Sequence, residues 1–249
     1  MWLKIGTIRH RTEWYIHSDP PIGLKLADDA NEIDLDLTLE KYGLTKDFLV
    51  KILKGLLRDA GVSSISDLLN ESAIDRLVLV CGGVARDFIG IFRKSIDVAK
   101  ERGKDHRGEK IGTEDVNRAA GEYEPSKREE FKRDTLEDRS RLEEEFEKIC
   151  KFCTSEANAN IILLDKEGRT SEVELIHELV DLRMLHLVRS RVTVSGETGK
   201  IFQGYMLDVS QYTGSRKRRE FEIVEFWRVD ATERLRRRKL IYKIAPVSR

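Results

Sequence analysis

Cysteine is scarce in this chain, with three in 249 residues, at positions 81, 150 and 153. An odd, sparse count excludes a disulfide scaffold and points to a reducing compartment. Cys150 and Cys153 form a C-x-x-C, but there is no second cysteine pair. A zinc site would need two further ligands, and His177 and His186 read as core or surface histidines instead, so no metal site is expected. No thioredoxin-like context surrounds the pair. Long apolar runs are also missing. None approaches the ~20 residues needed to span a bilayer, and the opening MWLKIGTIRHRTEW has no apolar signal core. The expectation is a cytoplasmic protein with no membrane partner.

Catalytic patterns are equally thin. G-x-S-x-G is absent and no triad candidate stands out, so no catalytic residue is assigned. Asp28, Asp29, Asn31, Glu32, Asp34 and Asp36 crowd one span. They lack the glycine and glutamate spacing of a calcium-binding EF-hand loop, and read as a solvated turn before a helix.

What the chain does have is charge. Charged residues make up 36% of it, which suits a helix-rich, solvated surface. The net charge is zero but uneven: residues 182–249 hold 16 Lys and Arg against 7 Asp and Glu, while the preceding residues are acidic by the same margin. A basic end of this kind suggests an anionic partner, nucleic acid first.

The first half reads as helices. Thr45–Ala60 has a capping threonine, an apolar stripe of Phe48, Leu49, Ile52, Leu53, Leu56 and Leu57, and a stop at Gly61. Glu71–Val80 is a second helix. Gly82 and Gly83 then suit a tight helix-to-helix corner, because glycine accepts positive φ. A third helix opens with Ala85-Arg86-Asp87 and carries Phe88, Ile89, Ile91, Phe92, Ile96, Val98 and Ala99 at near-helical spacing. Arg86 falls in its first turn, where the helix dipole disfavours a cation. Such a residue is a candidate ligand for phosphate, which a guanidinium can grip with two parallel hydrogen bonds. Thr113 opens a fourth helix through Ala120. Gly121–Lys127, containing Pro125, reads as a linker.

The second half has a different order. Lys127–Lys148 is a charged helix that can bury Phe131, Leu136, Leu142, Phe146 and Ile149. A strand at Asn160–Asp165 follows, then a helix at Glu172–Val188, continuous or broken near Asp181. Next come a strand at Arg191–Val194, a Gly-containing turn at Ser195–Gly199 and a strand at Ile201–Val209. This is the order of a winged-helix domain, in which the helix before the hairpin commonly enters the DNA major groove. The tail has two basic clusters, one at Arg216, Lys217, Arg218 and Arg219 and one at Arg234–Lys239, including Arg236, Arg237, Arg238 and Lys239. Phe221, Ile223, Val224, Phe226 and Trp227 lie between them. Charge interleaved with aromatics suits contact with double-stranded DNA.

The motif GG-x-A-R-D-F, the long helix ending in AKERG, and the segment Ile111-Gly-Thr-Glu-Asp-Val-Asn-Arg-Ala-Ala120 resemble the lid of AAA+ ATPases. The similarity is closest to the Orc/Cdc6-like branch and its bacterial P-loop ATPase relatives. The resemblance gives Arg86 the role of sensor 2, an arginine that touches the γ-phosphate of ATP. It makes Trp2–Arg9 similar to the sensor-1 strand, with Thr7 and Arg9 as candidates for contact with nucleotide or a neighbouring subunit. The phosphate loop G-x-x-x-x-G-K-S/T does not occur, nor does an apolar strand ending in paired acids. ATP with Mg2+ is therefore expected only if a nucleotide-binding core completes the chain, and hydrolysis by the chain alone is not expected. A fragment or one half of a split ATPase would fit, with an ATPase core or self-association as possible partners.

The resulting expectation is a mainly α protein with small β elements. Residues 1–44 would be a remnant of the AAA+ core, 45–122 a helical lid, 128–212 a winged helix and 213–249 a basic extension. The alternative is a protein-interaction module that uses the winged helix as a docking surface.

Overall fold

The computed structural model describes residues 4–7, 12, 14–16, 18, 20, 22–25, 28–33, 35, 37–102, 108, 110–134, 139–167, 170–213 and 221–244. The architecture is mainly helical with two small antiparallel sheets. Arg9, Leu136 and the cluster at 216–219 lie outside the described residues. Of the expected first strand, residues 4–7 are described and are not paired in a sheet. Instead β1 (Tyr15–Ile16) and β2 (Ile22–Gly23) make a short antiparallel pair.

Helix α1 spans Tyr42–Asp59, and Thr45 lies inside it rather than capping it. The Thr45 hydroxyl donates to the Thr38 carbonyl, 2.8 Å away, which lets a hydroxyl be fully buried. The buried line is Thr45, Leu49, Leu53 and Leu57, one i, i+4 ridge; Phe48 and Leu56 from the expected stripe are exposed. Helix α2 spans Glu71–Val80 and is capped by Asn70, whose side chain accepts from the Ala73 amide at 2.8 Å. Leu77 to Cys81 are all buried, so the end of α2 is a central core element. Gly82 (φ 61°) and Gly83 (φ 87°) make the expected corner, and α3 begins at Ala85 and runs to Glu101.

The expected linker at Gly121–Lys127 is not a linker. Helix α4 runs unbroken from Thr113 to Asp134 with Pro125 inside it. Proline in a helix interior forfeits one backbone bond. Here α4 lies along α2 and α3, and tertiary packing outweighs that local preference. At its start, Asp115 accepts from the Gly112 amide (2.8 Å) and from Nε of Arg102 (2.8 Å), tying the end of α3 to the start of α4.

The expected charged helix at Lys127–Lys148 is divided between the end of α4 and α5 (Arg139–Lys151), with Phe131, Leu142, Phe146 and Ile149 buried as expected. After a π-helical turn at Phe152–Ala157, Asn158 reverses the chain in a left-handed conformation (φ 48°). Then come β3 (Ile161–Asp165), α6 (Thr170–Asp181), β4 (Leu185–Val192) and β5 (Phe202–Leu207). The sheet order is β3-β5-β4, all antiparallel. The expected helix at Glu172–Val188 stops at Asp181, because Arg183 takes a left-handed conformation (φ 62°) and residues from Leu185 pair with β5. A single helix therefore separates β3 from β4 among the described residues.

Residues 221–244 return to the sheet. The Tyr242 amide donates to the Leu163 carbonyl of β3 at 2.9 Å, covering that edge. Trp227 stacks on Tyr42 of α1 with ring centroids 4.2 Å apart, and Phe226 and Val224 are buried. A short helix, α7 (Ala231–Leu235), anchors through Ala231 and Leu235. One buried apolar cluster extends from Leu39 to Tyr242 through both the helices and the sheet. No helix of the described residues is long and apolar enough to cross a membrane.

Candidate functional site

The Gly82–Gly83 corner sits against the sheet, and its geometry explains the glycine. A Cβ at position 82 would lie 2.0 Å from Cε1 of His186 on β4. The absent side chain is thus the space the imidazole occupies. Directly after the corner, Asp87 sits in the first turn of α3 and is 1% exposed. A carboxylate in a helix first turn complements the dipole, but burial demands cationic partners. Arg183 supplies one, donating through Nη1 to both Asp87 oxygens at 3.2 Å. Lys127 of α4 supplies another at 3.5 Å. The Lys127 ammonium, itself 3% exposed, also donates to Oδ2 of Asp208 at 2.6 Å.

Asp208, just beyond β5, is the deepest member of the group. His186 Nε2 lies 3.0 Å from its Oδ2, and the Ser210 amide and hydroxyl donate to its Oδ1. Burial alone would raise the Asp208 pKa, but the Lys127 charge and the bond from His186 hold it well below the usual carboxylate range. Burial likewise works to lower Lys127, yet Asp208 and Asp87 hold its pKa raised above the ordinary lysine value. The cluster is a charge network sealed between α3, α4 and the sheet. It presents no activated nucleophile. Burial pushes the neighbouring Cys81 thiol up to about 12, where it stays protonated.

Arg86 lies at the rim of this network. It is 63% exposed, donates to Oε2 of Glu130 at 3.0 Å, and is 3.8 Å from Asp87. Glu130 is shared with Arg183. Beside the corner is a cleft of about 530 Å³ whose walls include Gly82, Gly83, Arg183, His186, Thr38 and Thr7. Thr7 and the Gly-Gly corner therefore face the same cleft, while Arg86 is not among its lining residues. The cleft's own cation, Arg183, is committed to Asp87 and Glu130. These residues alone do not fit a bound triphosphate, since Arg183, the arginine that lines the cleft, and Arg86 at the rim are both paired with carboxylates.

The basic tail is arranged differently from its linear sequence. Arg234 pairs with Asp230 (3.0 Å), Arg237 with Glu222 (2.7 Å), and Arg238 with Glu197 (3.0 Å) in the turn between β4 and β5. Arg236 and Lys239 are exposed and have no ion pair among the described residues. Arg236 instead faces a pocket with Arg189 and Arg191 of β4. By contrast, α6, the helix before the β4–β5 hairpin, carries Glu172, Glu174, Glu178 and Asp181 and no Lys or Arg.

Sequence reasoning picked out Arg86 and Arg236 but missed Lys127, Arg183 and Asp208 as partners. Lys127 was indistinguishable from its neighbours in a charged run, and His186 and Arg183 fell inside an expected helix. Cys153 is buried and Cys150 partly buried, and burial raises both thiol pKa values, that of Cys150 to about 12. Among the described residues, no group of three or more His, Cys, Asp or Glu side chains could hold a metal ion. Comparison with protein-family models, curated proteins and solved structures gives no match for this chain.

Proposed function

We propose that this chain is the lid and winged-helix part of an Orc/Cdc6-like AAA+ ATPase, and that its C-terminal half binds double-stranded DNA. The observation that carries the DNA reading is the uncompensated basic face. Arg189, Arg191 and Arg236 share one surface, with exposed Lys239 and Lys243 on the neighbouring stretch. Clustered cations of this kind are the electrostatic footprint of a phosphate backbone. The sheet order β3-β5-β4, with a helix between β3 and β4, supports the winged-helix comparison, although one helix stands where that fold has two. The acidic α6 repels phosphate. The contact is therefore assigned to β4, the β4–β5 turn and α7, and not to the helix before the hairpin. The Arg238–Glu197 pair ties that turn to the segment after α7, so the face is pre-organised.

Arg86 is the proposed γ-phosphate contact. Its bond to Glu130 is half solvated and so can be exchanged for a phosphate at little cost. Nucleotide binding needs a core that supplies the phosphate loop, and no nucleotide chemistry is assigned to the chain alone.

The test is anisotropy of a labelled duplex with the full chain, across about 50 to 200 mM salt. Affinity is expected to fall by about tenfold or more over that range, because added salt reduces the entropy gained when counterions are released from the duplex. Replacing Arg216, Lys217, Arg218 and Arg219 with alanine should weaken it further. Absence of binding at the lowest salt overturns the DNA reading. In that case the second reading takes its place, a protein-interaction module that uses the winged helix as a docking surface, where the acidic sequence of α6 favours a basic partner.

A further inference from the structure

The pocket between β4 and α7 gathers charges of one sign, unlike an ordinary solvated surface. It has a volume of about 250 Å³, below the roughly 300–1,000 Å³ of sites for small organic ligands. Arg189, Arg191 and Arg236 line it, with Thr193 and Thr232 beside them and the buried Leu235 beneath. Among the described residues, no carboxylate lines it. The neighbouring arginines of the same run, Arg234, Arg237 and Arg238, are each neutralised by an acid. The fold thus compensates the cations around the pocket and leaves the three that line it without a carboxylate partner among the described residues.

Two features make this arrangement specific. β4 is an edge strand, and its register with β5 shifts on both sides of Arg189, between Leu187 and Arg189 and again before Val192. Such irregularities re-aim side chains at a sheet edge, and here Arg189 and Arg191 both reach the pocket. The Arg189 guanidinium is also fixed: its Nη2 donates to the Phe226 carbonyl at 2.9 Å, and that residue is fully buried. One arginine is therefore positioned by the core, while Arg191 and Arg236 are exposed and have no ion pair among the described residues. Three like charges around a concavity repel one another unless an anion joins them. Guanidinium forks and threonine hydroxyls together match the oxygens of a phosphate group.

We infer that this pocket is a site for a single phosphate group, held by Arg189, Arg191 and Arg236 with Thr193 and Thr232. The inference rests on the proposed DNA reading for one of two sources, a backbone phosphodiester; the other source is free phosphate. Arg189 orients the group through its tether to Phe226, and the two exposed arginines close on it from either side.

The experiment compares the full chain with Arg191→Ala/Arg236→Ala in two arms. Both substituted side chains are exposed, so the variant should fold, and circular dichroism checks that it does. In the first arm, thermal unfolding is followed with millimolar inorganic phosphate against chloride of equal ionic strength. Phosphate should raise the wild-type midpoint and leave the variant unmoved. In the second arm, duplex affinity is measured across salt. Loss of one phosphate contact should weaken binding about tenfold and reduce the log–log salt slope by about 1. Arg191→Lys/Arg236→Lys should recover part of the affinity, since it keeps charge but loses the fork. A change in the duplex arm assigns the site to nucleic-acid phosphate. A change in the first arm alone assigns it to free phosphate. If the wild type binds no duplex, the DNA reading fails while the first arm still decides the pocket. No difference between wild type and variant in either arm overturns the inference.

Discussion

The ammonium of Lys127 lies 2.6 Å from the carboxylate of Asp208, a residue 81 positions further along the chain, and both are buried. The pair joins the middle of α4 to the end of β5. Together with Asp87 and His186 it makes the contact between the helices and the sheet a buried network of ion pairs and hydrogen bonds within an otherwise apolar core. Two consequences are measurable, in stability and in its dependence on pH.

Lys127→Met keeps the volume of the side chain and removes its charge. Asp208 and Asp87 would then share a buried region with less cationic compensation. Removing one partner of a buried ion pair costs about 3–5 kcal/mol. Urea unfolding should show a loss of that size, with the slope against denaturant unchanged if the folded state stays compact. The same substitution at the exposed Lys148 is the control and should leave the midpoint in place.

The pH dependence follows from the two shifted groups. The folded Asp208 pKa is depressed, so its contribution is present above the unfolded value of about 3.9 and is lost as pH falls through the folded value. The folded Lys127 pKa is raised, so its contribution is complete below about 10.4 and is lost as pH rises through the folded value. Stability from this pair should be level between about pH 4 and 10 and decline on both sides. Lys127→Met should flatten the alkaline decline; an unchanged alkaline decline in that variant would show that other groups govern it.

These residues also show where the sequence was readable. The Gly82–Gly83 corner, the start of α3 at Ala85, and strands β3 and β5 follow from local signals, since glycine pairs and apolar runs act over a few residues. The continuity of α4 does not. Gly121 and Pro125 oppose a helix locally, and what overrides them is contact with α2 and α3 and the Lys127 pairs, all with residues distant in sequence. The sequence leaves two alternatives for α6, running on to Val188 or breaking near Asp181 where it does end, for a related reason. Residues 185–190 have helical as well as strand character, and only pairing with β5 decides between them. The basic tail read as one anionic-partner signal, yet three of the five cations in the Arg234–Lys239 cluster are spent on ion pairs that composition does not reveal.

Gly82→Ala tests the close approach between the corner and the sheet. Its added Cβ would fall within 2.5 Å of three atoms of the His186 ring, and the backbone there has φ 61°. His186 cannot swing away without losing its bond to Asp208. Left-handed strain alone costs about 1–2 kcal/mol, so the loss should exceed about 2 kcal/mol. A double substitution, Gly82→Ala with His186→Ala, should lose less than the sum of the single changes, because the second opens room for the first. Strict additivity in urea unfolding would mean that the two residues do not press on each other.

Arg86→Ala separates a ligand-facing arginine from a structural one. The side chain is 63% exposed, and its partner Glu130 keeps a second cation, Arg183, when Arg86 is removed. Exposed ion pairs contribute about 0–1 kcal/mol, so the variant should unfold within about 1 kcal/mol of wild type. Its duplex affinity should also be unchanged, because Arg86 is not among the residues that line the pocket of Arg189, Arg191 and Arg236. A loss above about 2 kcal/mol would place Arg86 in the buried network with Asp87, leaving no cation free to sense a phosphate. Wild-type stability and duplex affinity would leave Arg86 available for a function the isolated chain does not exercise, as a sensor of nucleotide held by a separate core requires.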